Sequence, residues 1–269
     1  MNAFVHHFAF MFRSGIRNKT LLMMNYLFPL GFYLMMGLIM AGINPFFKEV
    51  TVPAMTTFAV LAATLLGIPD PLVNAREQGI FRSYKVNGVP AFSILLIPIL
   101  TTMLHLAIIA TIIVTTAPLL FDAPAPTNML NFIIVFVSMA FASSGLSVLF
   151  GVISSSSRLT VLWSQIIFLP SMMIGGLMFP LSMLPETAQK AAMLFPATHA
   201  MNAFNGLAMG TAGDFSPWGS ILTLILGGLV ALALAVYLFR WGSHNADKKR
   251  TPLLAGLVLL PYVAAIFLF

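Results

Sequence analysis

The stretch from Trp218 to Trp241, WGSILTLILGGLVALALAVYLFRW, holds no charge until Arg240 and has a tryptophan at either end. About 23 residues at helical rise reach roughly 34 Å, which puts the two indoles at the two faces of a bilayer, where aromatic rings concentrate. Outward from it, uncharged stretches of the same kind recur at approximately 21–43, 52–69, 89–121, 129–157 and 159–185, with a last one at 252–269. Each is near or beyond the roughly 20 residues a helix needs to cross about 30 Å of hydrocarbon.

Composition agrees. With 59% hydrophobic and 7% charged residues, the chain cannot cover a globule with solvated side chains, since a soluble domain has about 25% charged residues. Long apolar runs without alternation indicate helices and not a barrel, because in lipid each backbone must satisfy its own hydrogen bonds. The expected fold is an all-α integral membrane protein with an N-terminal interfacial helix, six transmembrane helices and an additional C-terminal hydrophobic seventh helix.

The cations set an orientation. A cytoplasmic amino end puts Arg13, Arg17, Lys19, Arg76, Arg82, Lys85, Arg158, Arg240, Lys248, Lys249 and Arg250 inside, and only Lys48 and Lys190 outside, as the positive-inside rule requires. The net charge of +6 then belongs at anionic lipid headgroups, and no nucleic-acid partner is expected. The absence of cysteine excludes disulfides, thiolate metal sites and cysteine nucleophiles. In residues 1–20 the charges follow the Phe-rich part, so this is not a cleavable signal peptide. At 100° per residue Phe4, Val5, Phe8, Met11, Phe12 and Ile16 share one face and His6, Arg13, Ser14 and Arg17 the other, with Phe10 the exception, which suits a helix lying on the membrane.

Along the chain, Asn44, Pro45, Lys48 and Glu49 read as a short outer turn, and Pro69-Asp70-Pro71 as the end of the second span. A polar loop follows at 74–90. Residues 121–128, with two prolines and no cation, read as an outer loop, and Ser154–Arg158 as a tight inner turn. The segment 181–218 is too apolar for a hydrated loop. Ala191, Ala192, Phe195, His199, Asn202 and Gly206 recur there at helical spacing, so one or two short re-entrant helices are expected. Residues 252–269 suffice for a thin or untilted crossing, favoured here over a surface-lying tail.

Two stretches stand out. In the first, Arg76-Glu77-Gln78-Gly79-Ile80-Phe81-Arg82-Ser83-Tyr84-Lys85, a helix clusters Ile80, Phe81 and Tyr84 on one side, with Arg82 and Lys85 elsewhere. Amphipathicity alone leaves two readings, an apolar ridge docked in a partner's groove or a helix resting on lipid. In the second, Gly175-Gly176-Leu177-Met178-Phe179-Pro180 through Pro185, followed by Phe195-Pro196, glycines and spaced prolines end the fifth helix and redirect the chain.

Over roughly residues 1–245 the chain resembles the permease subunits of type-2 ATP-binding-cassette transporters, mostly bacterial exporters. Members have an interfacial helix before six spans, an Arg-Glu-x-Gly loop ending in proline between spans two and three, and a fifth span ending Gly-x-x-Phe-Pro-x-x-x-x-Pro. Arg76-Glu77-Gln78-Gly79 with Pro90, and Gly176 to Phe179-Pro180 with Pro185, occupy those places. Ile80 and Tyr84 stand where the family more often has Thr and Leu, and Asn205 where Arg is frequent. The resemblance implies a homo- or heterodimer of permeases in the bacterial cytoplasmic membrane, with a pathway along the dimer axis. It also implies a separate ATPase subunit that binds ATP and Mg, with no cofactor on this chain. The coupling helix of 74–90 would meet that ATPase through Arg76, Glu77, Gly79, Ile80, Phe81, Arg82, Tyr84 and Lys85. Gly175, Gly176, Phe179, Pro180, Pro185 and Pro196 would form the outer gate. Export of hydrophobic drugs, lipid-like molecules or polysaccharide is the family expectation.

The residues themselves bear on the alternatives. The chain has no Gly-x-x-x-x-Gly-Lys-Ser/Thr loop, so ATP-driven transport needs a second chain. An ion-coupled carrier or channel would place ionisable groups at mid-membrane. Only His105 lies there, and an interhelical hydrogen bond is the simpler role for it. A membrane enzyme would need convergent chemistry, and His6, His7, His105, His199 and His244 are scattered.

Overall fold

The computed structural model describes residues 2–43, 45–242 and 252–269, and the elements among them are helices and turns, with no strand. His244 and the basic run 248–250 lie outside the described residues. Among the described residues six helices are long and apolar enough to cross a membrane: Lys19–Met40, Phe47–Glu77, Ala91–Phe121, Met129–Ile153, Ser157–Ile174 and Pro217–Leu238.

Helix α1 (Asn2–Arg17) lies against α7 (Ala91–Phe121). Its closest approach is Gly15, where a Cβ would sit 2.5 Å from Nε2 of His105. The Phe12 ring stacks on that imidazole at 4.3 Å. Met11, Phe12 and Phe8 turn partly inward with His7, while Val5, Phe10 and Ile16 are exposed. The expected single apolar face therefore divides between protein and lipid, because the helix is wedged beside the bundle and does not simply rest on it. Asn18 then breaks the chain, its Oδ1 accepting from the backbone N–H of Thr20 at 2.9 Å and Leu21 at 3.2 Å. This cap starts the first span, which runs through α2 (Lys19–Leu22), a π-helical turn (Met23–Leu27) and α3 (Phe28–Ile43).

Two proline signals read differently in the structure. Helix α4 (Pro45–Leu61) begins at the proline expected in an outer turn, and Lys48 and Glu49 lie in its first turns. Asn44 is outside the described residues. Pro69 and Pro71, expected to end the second span, open α5 (Pro69–Glu77). Proline's missing N–H costs nothing in a first helical turn, and Asp70 there suits the helix dipole. With a π-helical turn at Ala62–Leu66 joining α4 to α5, the second span covers Phe47–Glu77.

That span is the central post, with 94% of its most apolar window buried. The fifth span, α9 (Ser157–Ile174), has only 22% of its window buried and the first span 28%, so these two stand at the periphery. Phe58 of the post lies between them, stacked on Phe32 at 4.0 Å and tilted against Phe168 at 5.9 Å. Helices α8 (Met129–Ile153) and α12 (Pro217–Leu238) approach closely, since a Cβ on Gly145 would be 3.0 Å from the Gly228 carbonyl oxygen. Small residues at such a crossing bring backbones together where lipid supplies no hydrophobic drive.

The C-terminal apolar segment is a 3-10 helix (Pro252–Leu259) followed by α13 (Leu260–Leu268). It packs on α12, with Tyr262 filling the notch at Gly227 and Phe269 the notch at Gly219. At a 3-10 rise of about 2.0 Å per residue, the two pieces together reach about 30 Å. An all-α segment of that length would fall short by a few ångströms.

Candidate functional site

Apart from Lys48 and Lys190, the cations of the described chain belong to the connections at one end of the bundle. There α5 turns through Gly79, whose φ of 75° lies in the left-handed region, into the short helix α6 (Ile80–Val86). A side chain at Gly79 would be strained. Arg76 is buried and donates Nη1–H to the Val152 carbonyl oxygen at 3.0 Å and Nη2–H to that of Ser154. It thus caps α8, whose last carbonyls have no partner within the helix.

The ridge expected from Ile80, Phe81 and Tyr84 is divided. Phe81 is only 4% exposed, with its ring 5.2 Å from Phe239 beyond the end of α12. Tyr84 leans over His7 of α1, ring centroids 5.2 Å apart, and burial pushes the His7 imidazole down and the Tyr84 phenol up from their ordinary pKa values. Glu77, Ile80, Arg82 and Lys85 are exposed. The Lys85 ammonium also rests 5.9 Å over the Trp241 ring. The elbow therefore has an inner edge bonded to three parts of the bundle (α8, the end of α12, and α1) and an outer edge of two cations, one acid and an isoleucine.

At the opposite end, α9 stops at Gly175, where a Cβ would be 2.3 Å from the Ser171 carbonyl oxygen and 3.1 Å from the Ala197 side chain. Gly176 takes φ 86°, and the chain continues through a 3-10 turn (Leu181–Met183) to α10 (Glu186–Ala192) and α11 (Pro196–Ala203). The sequence reading anticipates these two short helices. Gly175, Gly176 and Pro180 line a cavity of about 200 Å³ with Met201, Asn202 and Asp214. Burial raises the Asp214 carboxyl above its ordinary range. Pro185 and Pro196 start α10 and α11, and Phe179 is 56% exposed, away from that cavity.

The bonds that hold this end together, unlike the helical spacing of His199 and Asn202, were not anticipated from the sequence. The Asn202 amide donates to the Phe215 carbonyl at 3.0 Å and the Ser220 hydroxyl at 2.9 Å, and accepts from the Phe215 N–H at 3.2 Å. His199 donates Nε2–H to the Met193 carbonyl at 2.8 Å, and burial drops its pKa to about 4. The π-helical turn Phe204–Met209 releases carbonyls that Asn131 and Thr127 satisfy at 3.1 and 2.9 Å. A lone amide on an apolar helical face, as Asn202 is, was the available signal.

His105 makes an interhelical hydrogen bond, Nδ1 to the Tyr26 hydroxyl at 2.7 Å. Among the described residues no group of three or more His, Asp or Glu side chains is placed to hold a metal.

The six apolar helices define a multi-pass helical membrane protein, and a match to a transporter family makes it a membrane transport permease. Residues 42–237 match the family described as ABC-2 family transporter protein, and the chain belongs to that family. No curated protein and no solved structure matches it.

Proposed function

We propose that this chain is the membrane subunit of an ATP-driven exporter in a bacterial cytoplasmic membrane, acting as a dimer with a separate ATPase at its basic, cytoplasmic end. One observation above all supports this reading: the elbow has a buried inner edge and a free outer edge. Phe81 and Tyr84 seat α6 against the end of α12 and against α1, while Arg76 ties α5 to α8. A push on Glu77, Ile80, Arg82 and Lys85 would therefore reach the spans without slack. Buried apolar anchors transmit such a load and rim charges set partner choice.

The dimer reading rests on the peripheral spans. Leu162, Ile166, Leu169 and Met173 form an exposed apolar ridge on α9, and the first span flanks the same post. A second copy on this face would enclose a pathway leading to the glycine-proline break and its cavity at the outer end. Residues 252–269 cross the membrane as a seventh helix in this arrangement.

The test is the double variant Ile80→Glu with Arg82→Glu, extracted from native membranes, with co-purifying ATP-binding-cassette ATPase measured by mass spectrometry. At least a tenfold loss of ATPase is expected, with the permease still monodisperse. Undiminished recovery of ATPase would rule out docking through this edge.

A further inference from the structure

Under α1, between the two π-helical turns and the elbow, lies a cavity of about 510 Å³, within the roughly 300–1,000 Å³ of ordinary small-molecule sites. Met11, Met24 and Leu66 give it apolar walls, and Asn25, Thr102 and His105 also line it. Asn25 is only 5% exposed and Thr102 8%, yet among the described residues neither side chain has a hydrogen-bond partner. Thr101 beside it, by contrast, bonds back to the Ile97 carbonyl at 2.9 Å. Nε2 of His105, in the same lining, is fully buried with no partner among the described residues, an unmade bond that costs about 1–3 kcal/mol, and beside it Asn25 and Thr102 offer the cavity a free amide and a free hydroxyl.

The backbone around them is also adapted. Asn25 sits inside the π-helical turn Met23–Leu27, which packs against the turn Ala62–Leu66 of the second span. Single π turns inside helices concentrate at functional sites. Gly67 follows the second turn, and a Cβ there would stand 3.4 Å from Oδ1 of Asn25 and 2.4 Å from the Ala63 carbonyl oxygen. Glycine thus keeps the amide uncrowded.

Among the described residues that line the cavity there is no lysine or arginine, and the one carboxylate, Asp70, accepts from Asn74 Nδ2 at 2.8 Å. An anionic headgroup would find no lysine or arginine there to neutralise it. We propose that the cavity binds one uncharged amphiphile per chain, its hydroxyl or amide head against Asn25 and Thr102 and its apolar body along Met11, Met24 and Leu66. One chain builds the whole site, so it stands or falls apart from the dimer and from the ATPase.

The test uses the full chain in phosphatidylcholine nanodiscs and a monoacylglycerol bearing a diazirine and an alkyne. Saturable photolabelling is expected on the peptides around 11–25 and 94–105, competed by unlabelled monoolein. Thr102→Val and Asn25→Leu should each raise the half-saturating concentration about fivefold or more, while Thr102→Ser, which keeps the hydroxyl, should leave it unchanged. Thr102→Val keeps the size of the parent side chain and Thr102→Ser removes only a methyl group, so gel filtration of both variants separates loss of the hydroxyl from a folding defect. Labelling that does not saturate and spreads over lipid-facing positions such as Leu38 and Leu119, or that is the same in Thr102→Val and the parent, overturns the proposal. So does a cavity that takes up no probe and holds only water.

Discussion

Arg76 closes the last turn of α8 with two charge-assisted hydrogen bonds from a guanidinium that is 8% exposed. Removing it leaves buried carbonyls without donors, a loss of about 1.5–3 kcal/mol for bonds to a charged group. Arg76→Met should therefore unfold several degrees lower in detergent, by intrinsic tryptophan fluorescence, with no ATPase present, and Arg76→Lys should fall between. An unchanged transition would mean that the cap is dispensable. His199 makes the second residue-scale case. Its folded pKa is about 4, depressed by burial, against an ordinary 6.5, so the unfolded chain takes up the proton first as pH falls. Stability is complete above 6.5 and is lost progressively down to about 4, by up to about 3 kcal/mol. Hydrogen exchange across residues 186–209 should quicken over that window. In His199→Gln, which keeps a donor but cannot titrate, this pH dependence should disappear, and a slope identical to the parent's would place its origin elsewhere.

Among the elements, the tightest dependence is of α8 on α12. A Cβ on Gly228 would lie 2.5 Å from the Phe141 ring and 3.2 Å from the Ala142 Cα. The ring can move, but the backbone cannot without parting the helices. Gly228→Leu should cost at least the 1–3 kcal/mol usual for overpacking, seen as loss of monodisperse protein on gel filtration, whereas Gly31→Leu, with open space at its Cβ, should be tolerated. Element existence was legible in the sequence because uncharged length alone decides a span in lipid. Proline was the weak signal. Pro45, Pro69 and Pro71 punctuate the chain, but a first helical turn accepts proline as readily as a loop does, so the breaks drawn at those residues became helix starts. A helix within 74–90 was expected and α6 lies there, but a seven-residue helix is too short for periodicity to say that Phe81 points inward and Ile80 outward. At the opposite end Asn202 and His199 stand out on an apolar helical face, but their partners were not legible, since Asn202 meets Phe215 and Ser220 only after the chain has turned back.

For the whole molecule, the decisive quantity is which elements reach which face. The chain has no cysteine, so any introduced one is the sole thiol and an impermeant maleimide reports its side of the membrane. Val86, 88% exposed at the basic end, and Thr187, exposed on α10 at the other, bracket the bundle. Leu268, 74% exposed, adjoins Phe269, which packs at Gly219 near the start of α12. If residues 252–269 cross, Thr187→Cys and Leu268→Cys should label in intact cells and Val86→Cys only in inverted vesicles. The crossing is physically reasonable despite its shortness, because the 3-10 half stretches the segment to about 30 Å and Tyr262 anchors it at Gly227 midway along α12. A Leu268→Cys that labels together with Val86→Cys would return the segment to the basic face, and a reversed pattern for Val86 and Thr187 would invert the whole protein against its cation distribution.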